Sequence, residues 1–348
     1  MTHELVKKLA KQTFLAFENP YKSINKVFPT AIDKIADEPF YYLGVKNRPE
    51  IPNELIHSLE KSGNYALHTL DNYAFGGRAI DTLMTNPLTG QPMTGSSSGT
   101  AVNVFLGIND IGIGTDGGGS VLAPALSLHL FSFISPSIAK EHTSAYLKQS
   151  TDGQSFSPSI GIMSRQLSIL REIVSLVLPV ELNEEINKLN VLVVYDKERY
   201  SLNLESSDSI KVTYIQTNLS ASRHELIQHT RRWLEEYDMI ISKEGPIDFH
   251  GLGDSIIGHV GSEAKAYQNK GNKGLVRIAN MINAAALTVP TESLATGYVV
   301  LSKESEEHIG NLFRIAERLE TEQDELLDKY FRDFGTYLNE GLFNQRDS

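Results

Sequence analysis

The 348-residue sequence contains no cysteine. Disulfides, thiolate metal sites and cysteine nucleophiles are therefore excluded, and a reducing compartment is compatible with the chain. Basic residues are also in deficit, 32 Lys+Arg against 43 Asp+Glu, for a net charge of -11. That balance argues against general nucleic-acid binding, which needs clustered Lys and Arg, and against a polybasic membrane-surface role. Long apolar runs are missing too. The most apolar stretches, such as 126–134, fall short of the ~20 residues that span a bilayer. Met1 to Leu9 is charged and amphipathic, without an apolar signal core. The expected location is cytoplasmic, with neither nucleic acid nor membrane as partner.

What is present is ordinary for a globular protein: 41% hydrophobic and 22% charged residues. No repeat, low-complexity tail or linker divides the chain. Residues 1–38 read as helical, broken at Pro20 and Pro29. Phe40 to Val45 reads as a strand ending at Lys46, and Leu55 to Ser62 as a helix stopped by Gly63. Asn64 to Leu70 is the next strand, and Asn86 to Gly99 a loop. The apolar segment 101–114 is ambiguous by periodicity. A short helix after Thr100 and a strand over Asp110 to Ile113 are expected, with a tight loop from Gly114 to Ser120. Downstream, helices are expected over Met163–Leu178, Glu225–Glu236, Val276–Ala286 and Glu304–Glu320. Strands are expected over Val191–Tyr195, Val212–Ile215, Met239–Ser242 and Gly297–Leu301. This alternation predicts an α/β fold, one domain over 1–348, with a mixed sheet covered by helices on both faces.

Two Ser/Gly-rich loops bracket the apolar segment: Thr94-Gly95-Ser96-Ser97-Ser98-Gly99-Thr100, and Gly114-Thr115-Asp116-Gly117-Gly118-Gly119-Ser120. Three readings compete. Gly112 to Gly117 spells G-x-G-x-x-G, a weak nucleotide-site match without an acidic ribose partner at the expected distance. Gly95 to Gly99 spells G-x-S-x-G, which would make Ser97 a nucleophile. That motif requires a preceding strand, and Pro87 to Met93 is polar and turn-like. The third reading joins both loops. Three glycines ending in a serine leave backbone N–H groups unshielded, able to face one developing oxyanion. A serine nucleophile there needs a base, and a Ser-Lys arrangement would serve.

These residues resemble the amidase signature family, whose hallmark is G-G-S-S-G-G, an apolar helix and strand, then G-T-D-x-G-G-S. The serines Ser96 and Ser120 stand 24 residues apart (120 − 96), the family's spacing. Gly44-Val45-Lys46-Asn47, the segment from Glu54 to Gly63, Thr69 to Gly76 and Thr85-Asn86-Pro87 resemble flanking family segments. Tyr237 to Ile241 and Asn283 to Pro290 do so more loosely. The core motifs fall within 40–125, and about 180–275 is the variable, substrate-side region. The resemblance implies a hydrolase cutting a carboxamide C–N bond, with Ser120 as nucleophile, Ser96 on a cis peptide as relay, and Lys46 as neutral base. Gly117, Gly118 and Gly119 would supply oxyanion donors with the Ser120 N–H, and Ser97 and Thr115 would hydrogen-bond behind them. The expected partner is a small-molecule amide. No metal or organic cofactor is implied, and a homo-oligomer is compatible with the sequence.

The sequence departs from the family pattern at Asn47, Ser98 and Val121-Leu122, the last removing a cation beside the nucleophile. Lys46 and Ser96 are 50 residues apart (96 − 46), roughly twenty fewer than the family pattern suggests. That shortening motivates the rival reading of a non-catalytic homologue with a binding role in a larger assembly; the retention of Lys46, Ser96 and Ser120 counts against it. Taken singly, Lys46 would be a surface lysine, the serines a flexible loop and the glycines a turn. Asp116 is expected to cap its own loop, and Trp233 to pack a helix on the core.

Overall fold

The computed structural model describes residues 2–35, 38–178, 188–196, 202, 204–322 and 325–333. Parts of the variable region and the last fifteen positions, 334–348, lie outside these.

Strands β1 (Ile24–Val27), β2 (Tyr41–Lys46) and β3 (Tyr65–Asp71) precede a hairpin of β4 (Ile80–Thr85) and β5 (Pro92–Thr94). Next come β6 (Ile111–Asp116), β7 (Phe131–Ser135), a small hairpin of β8 (Lys148–Gln149) and β9 (Ser155–Phe156), and β10 (Ser159–Ser164). The remaining strands are β11 (Leu189–Tyr195), β12 (Ile210–Gln216), β13 (Met239–Glu244), β14 (Ala285–Pro290) and β15 (Gly297–Ser302). Eleven of them form one sheet in the order β1-β3-β2-β6-β10-β7-β14-β15-β13-β11-β12. β2 runs parallel to both β3 and β6, and β11 runs parallel to β12 and β13, while the central pairings are antiparallel.

Helices cover both faces, as the alternation predicted. They are α1 (His3–Glu18), α2 (Asn53–Lys61), α3 (Ser98–Phe105), α4 (Leu122–Ser127), α5 (Lys140–Ser144), α6 (Leu167–Val177), α7 (Arg223–Glu236), α8 (Ser262–Asn269) and α9 (Glu306–Leu319). Strand residues split between two cores with period two. Leu192, Val194, Ile240, Val299 and Leu301 pack with α3, α4 and α7. Val191, Val193, Met239, Ile241 and Val300 pack with α2, α6 and α9. Strands buried on both faces cannot alternate apolar with polar residues, so they read as continuous apolar runs.

Several sequence expectations are corrected. The N-terminal region is helical only over α1; β1 and a 3-10 turn over Pro29–Lys34 follow it. The segment 276–286 is not a helix. Two 3-10 turns, Leu275–Arg277 and Asn280–Ile282, lead into β14. Its apolar residues satisfied a helical period by composition, but β14 draws its backbone partners from β7 and β15. Met163 and Ser164 end β10, and α6 begins at Leu167. The loop expected over 86–99 contains β5 and the first turn of α3. The tight loop expected from Gly114 begins only after Asp116, because β6 extends that far, paired with Ser159 of β10.

That extension also removes the nucleotide reading. Gly112 and Gly114 lie inside a strand, where a Cβ would sit 2.6 Å from Thr100 Cγ2 or 2.7 Å from Ser97 Oγ. These glycines let α3 close onto β6; they do not form a phosphate loop.

Candidate active site

Lys46 ends β2 and Thr115 lies near the end of β6, two adjacent parallel strands. Crevices outside the carboxyl ends of parallel strands are common ligand sites. Both serine loops reach this point. The first follows β5 through a cis Gly95–Ser96 peptide and enters α3. The second follows β6 and enters α4. Lys46, Ser96 and Ser120 line one cleft of about 430 Å3. A second hollow of about 690 Å3, lined by Lys46, Asn47, His57 and Glu60, contains none of the three serines.

Lys46 is 3% exposed. Its Nζ lies 2.8 Å from Ser96 Oγ, 3.2 Å from Ser97 Oγ, 3.1 Å from Thr115 Oγ1 and 3.4 Å from the Thr115 carbonyl. No carboxylate touches the amine among the described ion pairs. Burial, helped by the Lys148 and Arg48 charges and opposed by Asp116 and Glu50, lowers the Lys46 pKa to about 7. Desolvation disfavours the ammonium form, and hydroxyl neighbours do not restore it.

Asp116 holds the glycine loop. Its Oδ1 accepts the Gly119 N–H at 2.8 Å; its Oδ2 accepts those of Val121 at 2.6 Å and Leu122 at 3.3 Å. This is the capping expected from the sequence. It also commits the Gly119 N–H, whereas the N–H groups of Gly117, Gly118 and Ser120 have no protein acceptor among the described residues. Gly117 and Gly118 line the cleft beside Ser120. Gly117 admits no side chain, since a Cβ would meet the Phe156 ring at 2.4 Å. Gly119 has φ +96°, in the region that favours glycine.

Ser97 is fully buried; its N–H donates to the Ser120 carbonyl at 3.1 Å and its Oγ to the Thr115 carbonyl at 3.5 Å. Although β5 does precede it, no histidine reaches it among the described hydrogen bonds, so the nucleophile-elbow arrangement is not assembled. Ser98 donates to the buried Asp81 Oδ2 at 2.6 Å. Leu122 is buried and brings no charge to the cleft.

Sequence reasoning missed much of the cleft wall. Arg48, Tyr73, Arg78, Lys148, Phe156, Arg223, Asp254 and Met281 all line it. Lys148 and Phe156 come from the β8–β9 hairpin, which is tied down by Thr151 Oγ1 donating to Ser255 Oγ at 2.9 Å. Arg78 pairs with Asp254 at 3.0 Å. The segment carrying Asp254 is anchored by buried Asp248, which pairs with Lys273 at 2.6 Å and accepts from Thr94 Oγ1 at 2.7 Å. Only Arg48, two positions after Lys46, carried a local signal. The others are brought in by hairpins and connections of no distinctive composition.

Residues 84–243 match the family model described as Amidase, which includes both serines and the glycine loop. The chain is an amidase-signature protein. No curated protein matches it. Among solved structures, the amidase-signature chain resembles one component of the glutamyl-tRNA(Gln) amidotransferase from Thermotoga maritima, with TM-score 0.61 and 14% identity over 91% of each chain. It resembles Kluyveromyces lactis allophanate hydrolase with TM-score 0.58 and 13% identity, over 90% of this chain and 70% of that one. A 6-aminohexanoate cyclic dimer hydrolase aligns with TM-score 0.60 and 13% identity, over 91% and 92%. At these identities the likeness is one of fold, and it agrees with the mixed sheet flanked by helices.

Proposed function

We propose that the protein hydrolyses a carboxamide C–N bond through an acyl-enzyme on Ser120. The observation that carries this reading is the buried Lys46 amine on Ser96 Oγ at 2.8 Å, with its pKa drawn down to about 7. A lysine of that kind is a base near neutrality. A merely structural lysine would keep its charge and a carboxylate partner.

In this mechanism the neutral Lys46 accepts the Ser96 hydroxyl proton, while Ser96 Oγ takes the proton of Ser120. Ser120 Oγ bonds to the carbonyl carbon. The resulting oxyanion is met by the uncommitted N–H groups of Gly117, Gly118 and Ser120. Gly119, expected as a donor, has its N–H on Asp116, so it shapes the loop without facing the oxyanion. Collapse breaks the C–N bond, and the departing nitrogen takes the proton back from Lys46 through Ser96. Water then attacks the acyl-enzyme by the same relay, releasing a carboxylic acid and free Ser120. No hydrogen bond joins Ser96 Oγ to Ser120 Oγ among the described residues; the relay closes when substrate seats Ser120, since catalytic contacts are often loose in the free enzyme. Ser97 and Thr115 hold the amine in place from behind. The continuous sheet supports the one-domain reading.

A fluorophosphonate probe with peptide mapping tests the proposal. An adduct on Ser120, absent in Ser120→Ala and slowed in Lys46→Ala, is the expected result. No adduct on folded protein would favour the non-catalytic homologue, and an adduct on Ser97 would restore the elbow reading.

A further inference from the structure

The chain is acidic overall, at -11, yet its cleft gathers cations. Besides Lys46, four line it: Arg48, Arg78, Lys148 and Arg223. Two of these have a carboxylate each, Arg78 with Asp254 and Arg223 with Asp152. The other two share one. Glu50, 1% exposed, receives Arg48 through Nη2 at 2.7 Å and Nε at 3.0 Å, and also receives Lys148. Burial alone would raise the Glu50 carboxyl, but the two cations hold it well below the usual range, so it stays ionised. One carboxylate between two cations leaves one positive charge in excess beside Lys46. Arg48 is fixed by its two bonds to Glu50 and by Tyr73, whose ring centroid lies 5.1 Å away. Lys148, on the β8–β9 hairpin with its side chain 40% exposed, is the cation free to turn toward a ligand.

We propose that the amide substrate carries a carboxylate of its own, held in the cleft by Lys148 with Arg48 behind it. This rests on the reading of Ser120 as the nucleophile. An unpaired cation facing a half-enclosed cleft recognises an anion through a charge-assisted hydrogen bond, and the excess charge draws anions toward the mouth. A neutral substrate would leave that cation without a partner.

The test is protection of Ser120 from a neutral fluorophosphonate by two matched ligands, succinamate, which bears a carboxylate, and succinamide, its neutral twin. Succinamate is expected to protect at concentrations about tenfold lower. That preference should fall to less than about threefold in Lys148→Gln and return in Lys148→Arg. Because the readout is a ratio within each variant, a change in Lys46 basicity that slows labelling leaves it unmoved. Equal protection by the two ligands overturns the inference, as does a preference unchanged in Lys148→Gln. Methyl phosphate protecting better than succinamate overturns the carboxylate assignment. Absence of any Ser120 adduct instead overturns the catalytic reading beneath it.

Discussion

Gly114 and Ser97 pack so closely that a methyl group on Gly114 would lie 2.7 Å from Ser97 Oγ and 3.1 Å from its Cβ. The strand that carries Thr115 and the turn that carries Ser96 and Ser97 are thus held at a separation only glycine permits. Gly114→Ala must push Ser97 out of its contacts with Lys46 and Thr115. Overpacking of a close-packed interior costs about 1–3 kcal/mol. Thermal unfolding should show that loss, and Ser120 labelling should slow more than about tenfold. Wild-type stability and labelling in the variant would remove the steric argument.

The Lys46 amine should govern the pH response of the site. With its pKa near 7, the neutral base accumulates as pH rises, so the rate of Ser120 labelling should climb through about pH 7 and then level. Lys46→Ala should lose this step. Stability carries the opposite sign to that of a lysine gaining an ionic partner. The unfolded chain keeps the ordinary lysine value, so between about 7 and 10.5 it binds more protons than the folded one. Wild-type stability should therefore rise with pH across that window relative to Lys46→Met, by at most about 1.4 kcal/mol per unit.

Asp116 accepts three backbone N–H groups through its two carboxylate oxygens. In Asp116→Asn one acceptor oxygen becomes an NH2 that faces donors. The expected loss is about 2–4 kcal/mol of stability, and because the glycine loop is released, labelling of Ser120 should fall with it. A folded, fully labelled Asp116→Asn protein would show that the loop holds its shape without the carboxylate.

Asp71 makes a second pH-dependent contribution, of opposite direction. It is fully buried; its Oδ1 accepts from Thr69 Oγ1 at 2.6 Å and Asn103 Nδ2 at 2.7 Å, while its Oδ2 has no partner. Burial, partly offset by those donors, raises its pKa to about 7. A raised carboxyl contributes stability at acid pH that is lost as pH climbs from 3.8 through 7. Asp71→Asn keeps an acceptor for both donors and carries no charge. The stability difference between the variant and wild type should move in the variant's favour across that range, read by denaturant unfolding at several pH values.

The serine spacing, the triple glycine and the placement of Lys46 at a strand end were legible because they are local. A turn that must expose N–H groups needs glycine, and a nucleophile at its end leaves a pattern in consecutive residues. The same holds for Asp116, which caps a loop only a few residues long. Composition and alternation settled the α/β class for a similar reason, since each element carries its own periodicity.

Other features depended on partners remote in the chain. Whether 276–286 forms a helix or leads into a strand was decided by β7 and β15, which offer it backbone hydrogen bonds. Gly112 to Gly117 matched a phosphate loop in letters, but pairing with β10 kept Gly112 and Gly114 extended and under α3. The commitment of the Gly119 N–H to Asp116 is likewise a matter of loop geometry. The basicity of Lys46 comes from desolvation, which no residue letter records. The cation balance of the cleft is the furthest from sequence of all: Arg48 shares Glu50 with Lys148, 98 residues from that carboxylate. The sequence determined the chemistry available at this site, because reactive groups and turns are written residue by residue. The tertiary structure decided its charge, its walls and its proton affinity, because burial and Coulomb interactions act through space.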